Sequence, residues 1–558
     1  MNLLDWSIFI IVLFLLITFN QIRQRRRATP TSIYEPSTLY YGFKILGIQT
    51  LSFTFISLPG IAYYYGMTFL QFFLGIPLAI YIICAYILPK FKASTTTNAF
   101  EFIEEKLGTK VSRLAISLFI IQKILLLSVC LYAISIILSL LVRVSFKSLL
   151  LIVTFICITL TVIYKHKTKI FPKKMQLLCF ITLMIAIILD ILYKLPDGMG
   201  FNDVLKFADS FDKLKIIVPS LSLKKGLTYI NGMVNGTLLF IALLSLETRV
   251  LAIYNKTKYS SRTKDSLIMN GLFNIPLQAL ILFTGCMLFT FYQFNTPKLH
   301  YNPHNEYIVM NSPYAQEYDS IQQKYNVLQV HKQEVSQLYT GQIYQNYSNP
   351  VLQYQLVCLN ENEHELHKAA QQTIRKANGK LEINDSDFIL LDFIINEIPA
   401  GITGFVIALF LISMIAMVHN EVKYLSQRSL HYFGPNTKTE IKPSVIQPII
   451  ASVCLLLALA LCYTIPVFSN LIQMLWCYSS LFFGTILGLL LIAVLTPNVH
   501  KLAVLYSGIT AQISIMILFF TIDIHYIWFN SIGVLLVFLF TYLFHNTIEA
   551  CQIIKNNF

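Results

Sequence analysis

Residues Gly47 to Gly66 read GIQTLSFTFISLPGIAYYYG, a stretch long and apolar enough to cross a bilayer that carries Leu58-Pro59-Gly60 near its middle. Proline removes a backbone donor and clashes with the carbonyl four residues back. In hydrocarbon such a break survives only where the freed backbone groups face protein, water or a ligand. The stretch therefore predicts either an interrupted helix whose loose backbone is put to use, or a proline kink packed inside a bundle.

The remainder of the chain places that stretch in a bundle. Apolar runs recur along most of its 558 residues, 56% of which are hydrophobic and 13% charged, with a mean hydropathy of +0.63. This predicts an all-helical polytopic membrane protein and excludes a soluble enzyme. The formal charge of +14 implies no nucleic-acid partner, because the basic residues sit in short loops between apolar runs, as they do on the cytoplasmic side of membrane proteins. Only Cys358 lies in the long polar segment, so no disulfide framework is available there, and no CxxC metal spacing occurs.

Apolar runs at about 3–19, 45–65, 67–88, 114–142, 147–164, 175–193, 227–246, 267–293, 389–418, 445–468, 471–495, 501–521 and 526–545 make about thirteen spans. The first is followed by Arg23, Arg25, Arg26 and Arg27; a signal peptide carries its charge before the apolar region, so this helix is expected to be retained with its N-terminus outside. Alternate threading then puts the basic loops 20–44, 89–113, 165–174, 253–264 and 422–442 inside, together with the C-terminus. The polar insertion 296–388, with ten acidic residues against seven Lys and Arg, falls outside. Its Tyr314, Tyr318, Ile321, Tyr325 and Leu328 recur at helical spacing, which predicts a small helical cap.

Residues 40–140, with the LPG break and the AYYYG after it, resemble the opening of the sodium/solute symporter family. The stretches NGLFNIPLQALILFTGCMLFTFYQFNTPKLHYNP (270–303) and ANGKLEINDSDFILLDFIINEIPAGITGFVIALF (377–410) resemble a bacterial subgroup with a long outside insertion. The resemblance implies a LeuT-like five-plus-five inverted repeat with one extra N-terminal and two extra C-terminal helices. The domains it implies are an extra helix at 1–28, core at 40–295, the insertion at 296–388, further core at 389–496, and two helices with a short inside tail at 497–558. It also implies sites between the first, third, sixth and eighth core helices.

Carried over residue by residue, the resemblance places backbone sodium ligands at Gly47 and Thr50. The family's adjacent hydroxyls on the eighth core helix fall on Ala416 and Met417 within LFLISMIAMVHNEVKYLSQR, with Ser413 one turn earlier. Alanine brings no oxygen and a thioether is a soft ligand unsuited to sodium. An aspartate near the ion path in relatives aligns with Lys173, and a polar run across the sixth core helix aligns with Ile241, Ala242, Leu243 and Leu244. The sodium site is thus expected to be degenerate. No other cofactor is implied.

Ionisable groups at membrane depth are costly and therefore functional suspects. Lys123 lies roughly 15 Å into an apolar helix at about 1.5 Å per residue; it reads as a pairing lysine of the bundle interior, with a place on the substrate path as the sharper alternative. His419 and Glu421 read as a helix end meeting cytoplasmic water, His419 otherwise as a proton carrier. Asp392 and Glu397 read as interfacial, and Tyr63 to Tyr65 as an aromatic belt. Pro59, Gly60, Lys123, Ala242, Leu243 and Leu244 are the substrate-path residues this reading selects.

The expected function is that of a secondary transporter of an unidentified small solute, in a bacterial inner membrane, with membrane lipid around it. The alternative is a non-transporting relative serving as receptor, sensor or assembly subunit, with a protein partner on the 296–388 insertion.

Overall fold

The computed structural model describes residues 2–26, 37–94, 96, 98–142, 144–163, 173–219, 228–256, 261–343, 349–379, 385–433, 443–464, 470–496 and 498–557. The basic loops 20–44, 165–174, 253–264 and 422–442 lie partly outside these residues. Among the described residues there are helices and no strands.

In chain order the helices are α1 (Leu3–Arg26), α2 (Thr38–Gln49) and α3 (Thr54–Tyr65). The chain turns at Gly66 (φ +65°) and runs through a 3-10 segment Gly66–Gly75, α4 (Ile76–Ile82), a π turn Ile83–Ile87 and α5 (Leu88–Ala93). Then come α6 (Ala99–Leu107), α7 (Thr109–Leu141), α8 (Phe146–Ile163), α9 (Lys173–Lys194) and α10 (Phe201–Asp209). Next are α11 (Tyr229–Leu246), α12 (Thr248–Lys256) and α13 (Ser261–Phe294). The insertion supplies α14 (Pro303–Met310), α15 (Ala315–Ile343) and α16 (Pro350–Ala377). The chain ends with α17 (Ile389–Asn396), α18 (Ile402–Phe433), α19 (Pro443–Thr464), α20 (Leu471–Leu495), α21 (Lys501–Thr521) and α22 (Phe529–Asn557). Eleven stretches among the described residues are long and apolar enough to cross a membrane; one of them, Thr54–Ala93, contains the turn at Gly66.

α7, α18 and α20 are buried along most of their length and form the centre, whereas α8, α19, α21 and α22 present apolar faces outward. Such outward Leu, Ile and Phe side chains suit lipid, which solvates them as well as a protein core does. α13 packs along α2 and α3, and α11 along the Gly66–Gly75 segment.

The interruption in the first core helix is not at Leu58-Pro59-Gly60. Pro59 lies inside α3, and the chain leaves helical form at Thr50–Phe53. Proline is tolerated here because neighbours close over it. A Cβ on Gly285 of α13 would sit 2.2 Å from the Pro59 carbonyl oxygen, and one on Gly60 would sit 1.8 Å from the Ser386 carbonyl oxygen. Both glycines permit backbone contact that any larger residue would block.

The run 389–418 is likewise two helices rather than one, since α17 ends before Glu397 and α18 begins at Ile402. Asp392 is buried on α17 and pairs with Lys298 at 2.7 Å, so it is a packed ion pair and not an interfacial charge. Glu397 is half-buried. Tyr63 is buried against Phe289 and Tyr292, and only Tyr65 of that run is exposed. These rings are therefore not a continuous aromatic belt.

In the insertion, α15 and α16 pack side by side over a buried ion pair. Lys332 Nζ donates to Glu363 Oε2 at 2.7 Å, and the Tyr325 hydroxyl and Gln329 amide donate to Glu363 Oε1. The insertion packs on the short helix α10 through Tyr339 on Phe207 and through Gln353, which donates to the Ser210 carbonyl.

Candidate functional site: a cavity between two interrupted helices

α2 ends at Thr50, whose N–H still reaches Leu46 O, and α3 resumes at Thr54. α11 ends at Glu247, which is extended (φ −73°, ψ 104°), and α12 starts at Thr248. The two interruptions bound one cavity, closed elsewhere by α7, α13, α18 and α20. It leaves about 100 Å³ for the centres of water-sized molecules. At about 10–15 Å³ per water, that holds several waters or a small solute. Phe73, Phe240, Trp476 and Phe483 supply apolar walls.

Four charges form the polar wall. Lys123 Nζ on α7 lies 2.8 Å from Glu247 Oε2 and 3.7 Å from Glu421 Oε2 on α18. Arg249 donates from Nε to Glu247 Oε1 (2.7 Å), from Nη2 to Glu247 Oε2 (3.0 Å) and from Nη1 to Glu421 Oε1 (2.6 Å). Its guanidinium lies 4.9 Å from the Tyr424 ring centroid, and the Tyr424 hydroxyl accepts from Thr248. Charges taken this far from water persist only when paired and hydrogen-bonded.

Uncharged polar groups face the same space. Gln49, Thr50, Gln122 and Gln278 line it, and Gln49 Nε2, Thr50 Oγ1, Gln122 Oε1 and Gln278 Oε1 are buried without a hydrogen-bond partner among the described residues. Leaving such groups unmet costs about 1–3 kcal/mol each, which water or a solute in the cavity offsets.

Of the residues selected from the sequence, Lys123, Leu243, Thr50 and Glu421 line the cavity. Pro59, Gly60, Ala242 and Leu244 are buried beside it and do not line it, whereas Leu58 does. Lys123 is paired, as a lysine of the bundle interior should be. His419 and Glu421 are not a helix end meeting cytoplasmic water: they are 3% and 1% exposed, and α18 continues past them to Phe433. Sequence reasoning missed Glu247. The available signal was Leu246-Glu247-Thr248-Arg249, an acid and a base two residues apart at the end of an apolar run.

The donors around Gly47 do not fit a dehydrated sodium ion, which needs several hard oxygens. Ala416 and Met417 are buried and bring none. Ser413 Oγ is buried without a partner among the described residues. A Cβ on Gly47 would lie 3.4 Å from Lys173 Cβ, so the residue aligned with the relatives' aspartate is a lysine packed against Gly47.

No family model and no curated protein matches the chain. Among solved structures, the chain is similar to a Na+-coupled sialic acid symporter in a substrate-bound outward-open state, at a TM-score of 0.63 and 15% identity over 98% of each chain. It is also similar to Mhp1 in an inward-facing conformation, at a TM-score of 0.40 and 12% identity over 93% of this chain and 96% of that one. The second likeness is too distant to carry an argument. The first shows that the chain shares the fold of that symporter.

Proposed function

We propose that the chain is a secondary transporter of the sodium/solute symporter family that moves a small polar solute through the cavity between its two interrupted helices. One observation carries this reading: both interruptions, at Thr50–Phe53 and at Glu247, end on the same cavity. Unwound backbone at mid-membrane is how transporters of this architecture hold solute and ion. A static bundle gains nothing from two such breaks facing one polar space. Coupling proceeds without the usual sodium site, because the hydroxyl pair is replaced by Ala416 and Met417 and Lys173 stands beside Gly47. The insertion and the N-terminus lie outside and the C-terminus inside, in a bacterial inner membrane.

A non-transporting role draws on a different observation, the clasp between the insertion's end and the spans. Leu471 N donates to Asp387 Oδ2 at 2.9 Å, and Ile472 N donates to Ser57 Oγ at 3.3 Å. That clasp ties α3, α20 and the 385–388 turn together, as a fixed receptor would require.

A thermal-melt screen of small polar solutes on the purified protein tests the transporter reading. A solute that stabilises the wild type and fails on Gln122→Leu and Gln278→Leu supports it. A shift that survives both substitutions contradicts it.

A further inference from the structure

From Ser266 to Gln278, α13 reads SLIMNGLFNIPLQ. Ser266, Asn270, Asn274 and Gln278 recur every four residues, and every other position is apolar or glycine. Residues four apart share one helix face, so they form a single polar row. At about 1.5 Å per residue the row is roughly 18 Å long. All four side chains are buried, Asn270 completely. The row starts at the cavity, which Gln278 and Asn274 line, and runs toward the end of α13 remote from the insertion.

Polar rows between membrane helices often serve as hydrogen-bonded glue. This one is poorly matched for that task. Ser266 Oγ reaches Thr38 O of α2 at 3.4 Å, and Asn274 Nδ2 reaches Gln49 Oε1 at 3.5 Å, both at the long limit of a hydrogen bond. Between those two contacts α2 presents Gly42, which brings no polar side chain. A Cβ there would sit 2.8 Å from Met269 Cβ and 3.5 Å from Asn270 N, so the two helices are tightly closed at this level. Asn270 Nδ2 and Oδ1 both lack a hydrogen-bond partner among the described residues. A buried amide with neither end met is costly, and the cost is recovered only when something polar reaches it. α2 is free to part from α13 without α3, because helical form is lost between them at Thr50–Phe53.

We propose that Asn270 is an inner station on the solute's route. When α2 parts from α13, the cavity extends down the row, and the Asn270 amide receives groups that Gln278 and Asn274 release. This rests on reading the cavity as the solute site and adds the wall along which solute leaves for the inner side. An amide offers donors and an acceptor together, so water fills the station when solute is absent. The row then works as a wetted half-channel.

The test uses the full chain with its native cysteines replaced, in intact cells and in inside-out vesicles, labelled with a small impermeant methanethiosulfonate. Asn270→Cys should react in inside-out vesicles and not in intact cells. Added to Leu243→Cys, Asn270→Leu should slow labelling from the inner side about tenfold, the effect of one lost hydrogen bond on the way. Labelling from the outer side should not change, and Asn270→Ser should restore the inner rate. Asn270→Leu should leave the melting temperature unchanged or raise it, since it removes a stranded amide, whereas loss of interhelical glue would lower it. An unreactive Asn270→Cys in inside-out vesicles, or an inner labelling rate of Leu243→Cys unchanged by Asn270→Leu, would overturn the proposal. So would equal slowing from both sides, a rate that Asn270→Ser does not restore, or a lowered melting temperature. The transporter reading fails on a different result, labelling of Leu243→Cys from one face only while Asn270 is intact.

Discussion

Arg249 Nη1 lies 2.6 Å from Glu421 Oε1, which ties the first turn after one helix interruption to the buried middle of α18. Lys123 completes the link from α7. Three segments that meet at the cavity are thus joined by paired, largely buried charges.

Arg249→Ala should therefore destabilise the protein by about 3–5 kcal/mol, the usual cost of stranding buried partners. A urea or thermal melt of the purified protein measures it. Removing Lys123 and Glu247 together, as Lys123→Met with Glu247→Leu, should cost less than Arg249→Ala, because neither change leaves the other group unpaired.

The clasp at Asp387 predicts a pH dependence. Burial pushes the Asp387 carboxyl up to about 7, against hydrogen bonds from Ser57 and the Leu471 N–H. An unfolded aspartate titrates near about 3.9, so between the two values the folded chain holds the extra proton. The stabilisation is full below about 4 and is lost as pH rises through about 7. Melting temperature should fall between pH 5 and 8, and Asp387→Asn should flatten that slope. An unchanged slope in the variant would refute the assignment.

Much of the fold was legible because apolar runs of this length permit few alternatives. The break was misplaced because proline is only a local signal. Pro59 keeps its helix since Gly285 and Gly60 let other backbone pack against it, whereas Thr50–Phe53 carries no glycine or proline to mark the true interruption. His419 and Glu421 looked water-facing because their neighbours in sequence turn polar. Glu421 is instead paired with Lys123 of α7 and Arg249 of α12, which are distant in sequence. Glu247 was missed for a similar reason, since its partner Lys123 lies 124 residues away.

In the insertion, Lys332 is fully buried and depends on Glu363. Burial would raise the Glu363 carboxyl, but Lys332 and His367 hold it well below the usual range. The pair's contribution is therefore present above about 4 and lost only as pH falls further. Glu363→Gln should speed amide exchange across α15 and α16 at neutral pH and leave α7 and α20 protected. Uniform loss of protection would mean that the insertion does not unfold as its own unit.

Orientation has its own test. Cys358 on α16 should react with an impermeant thiol reagent added to intact cells, and Cys551 should not. Labelling of Cys551 alone would reverse the topology.

The absence of fitting sodium ligands predicts no sodium effect on stability. Melting temperatures in sodium chloride and choline chloride should coincide. A sodium-specific rise that vanishes in Thr50→Pro would show that the interruption holds the ion after all.

The central claim is that the cavity between Thr50 and Glu247 opens in turn to each side of the membrane. The direct measurement is labelling of Leu243→Cys, with the native cysteines replaced, by an impermeant reagent in intact cells and in inside-out vesicles. A transporter predicts reaction from both faces, with a common solute slowing both. Reaction from one face only, or from neither, would contradict it.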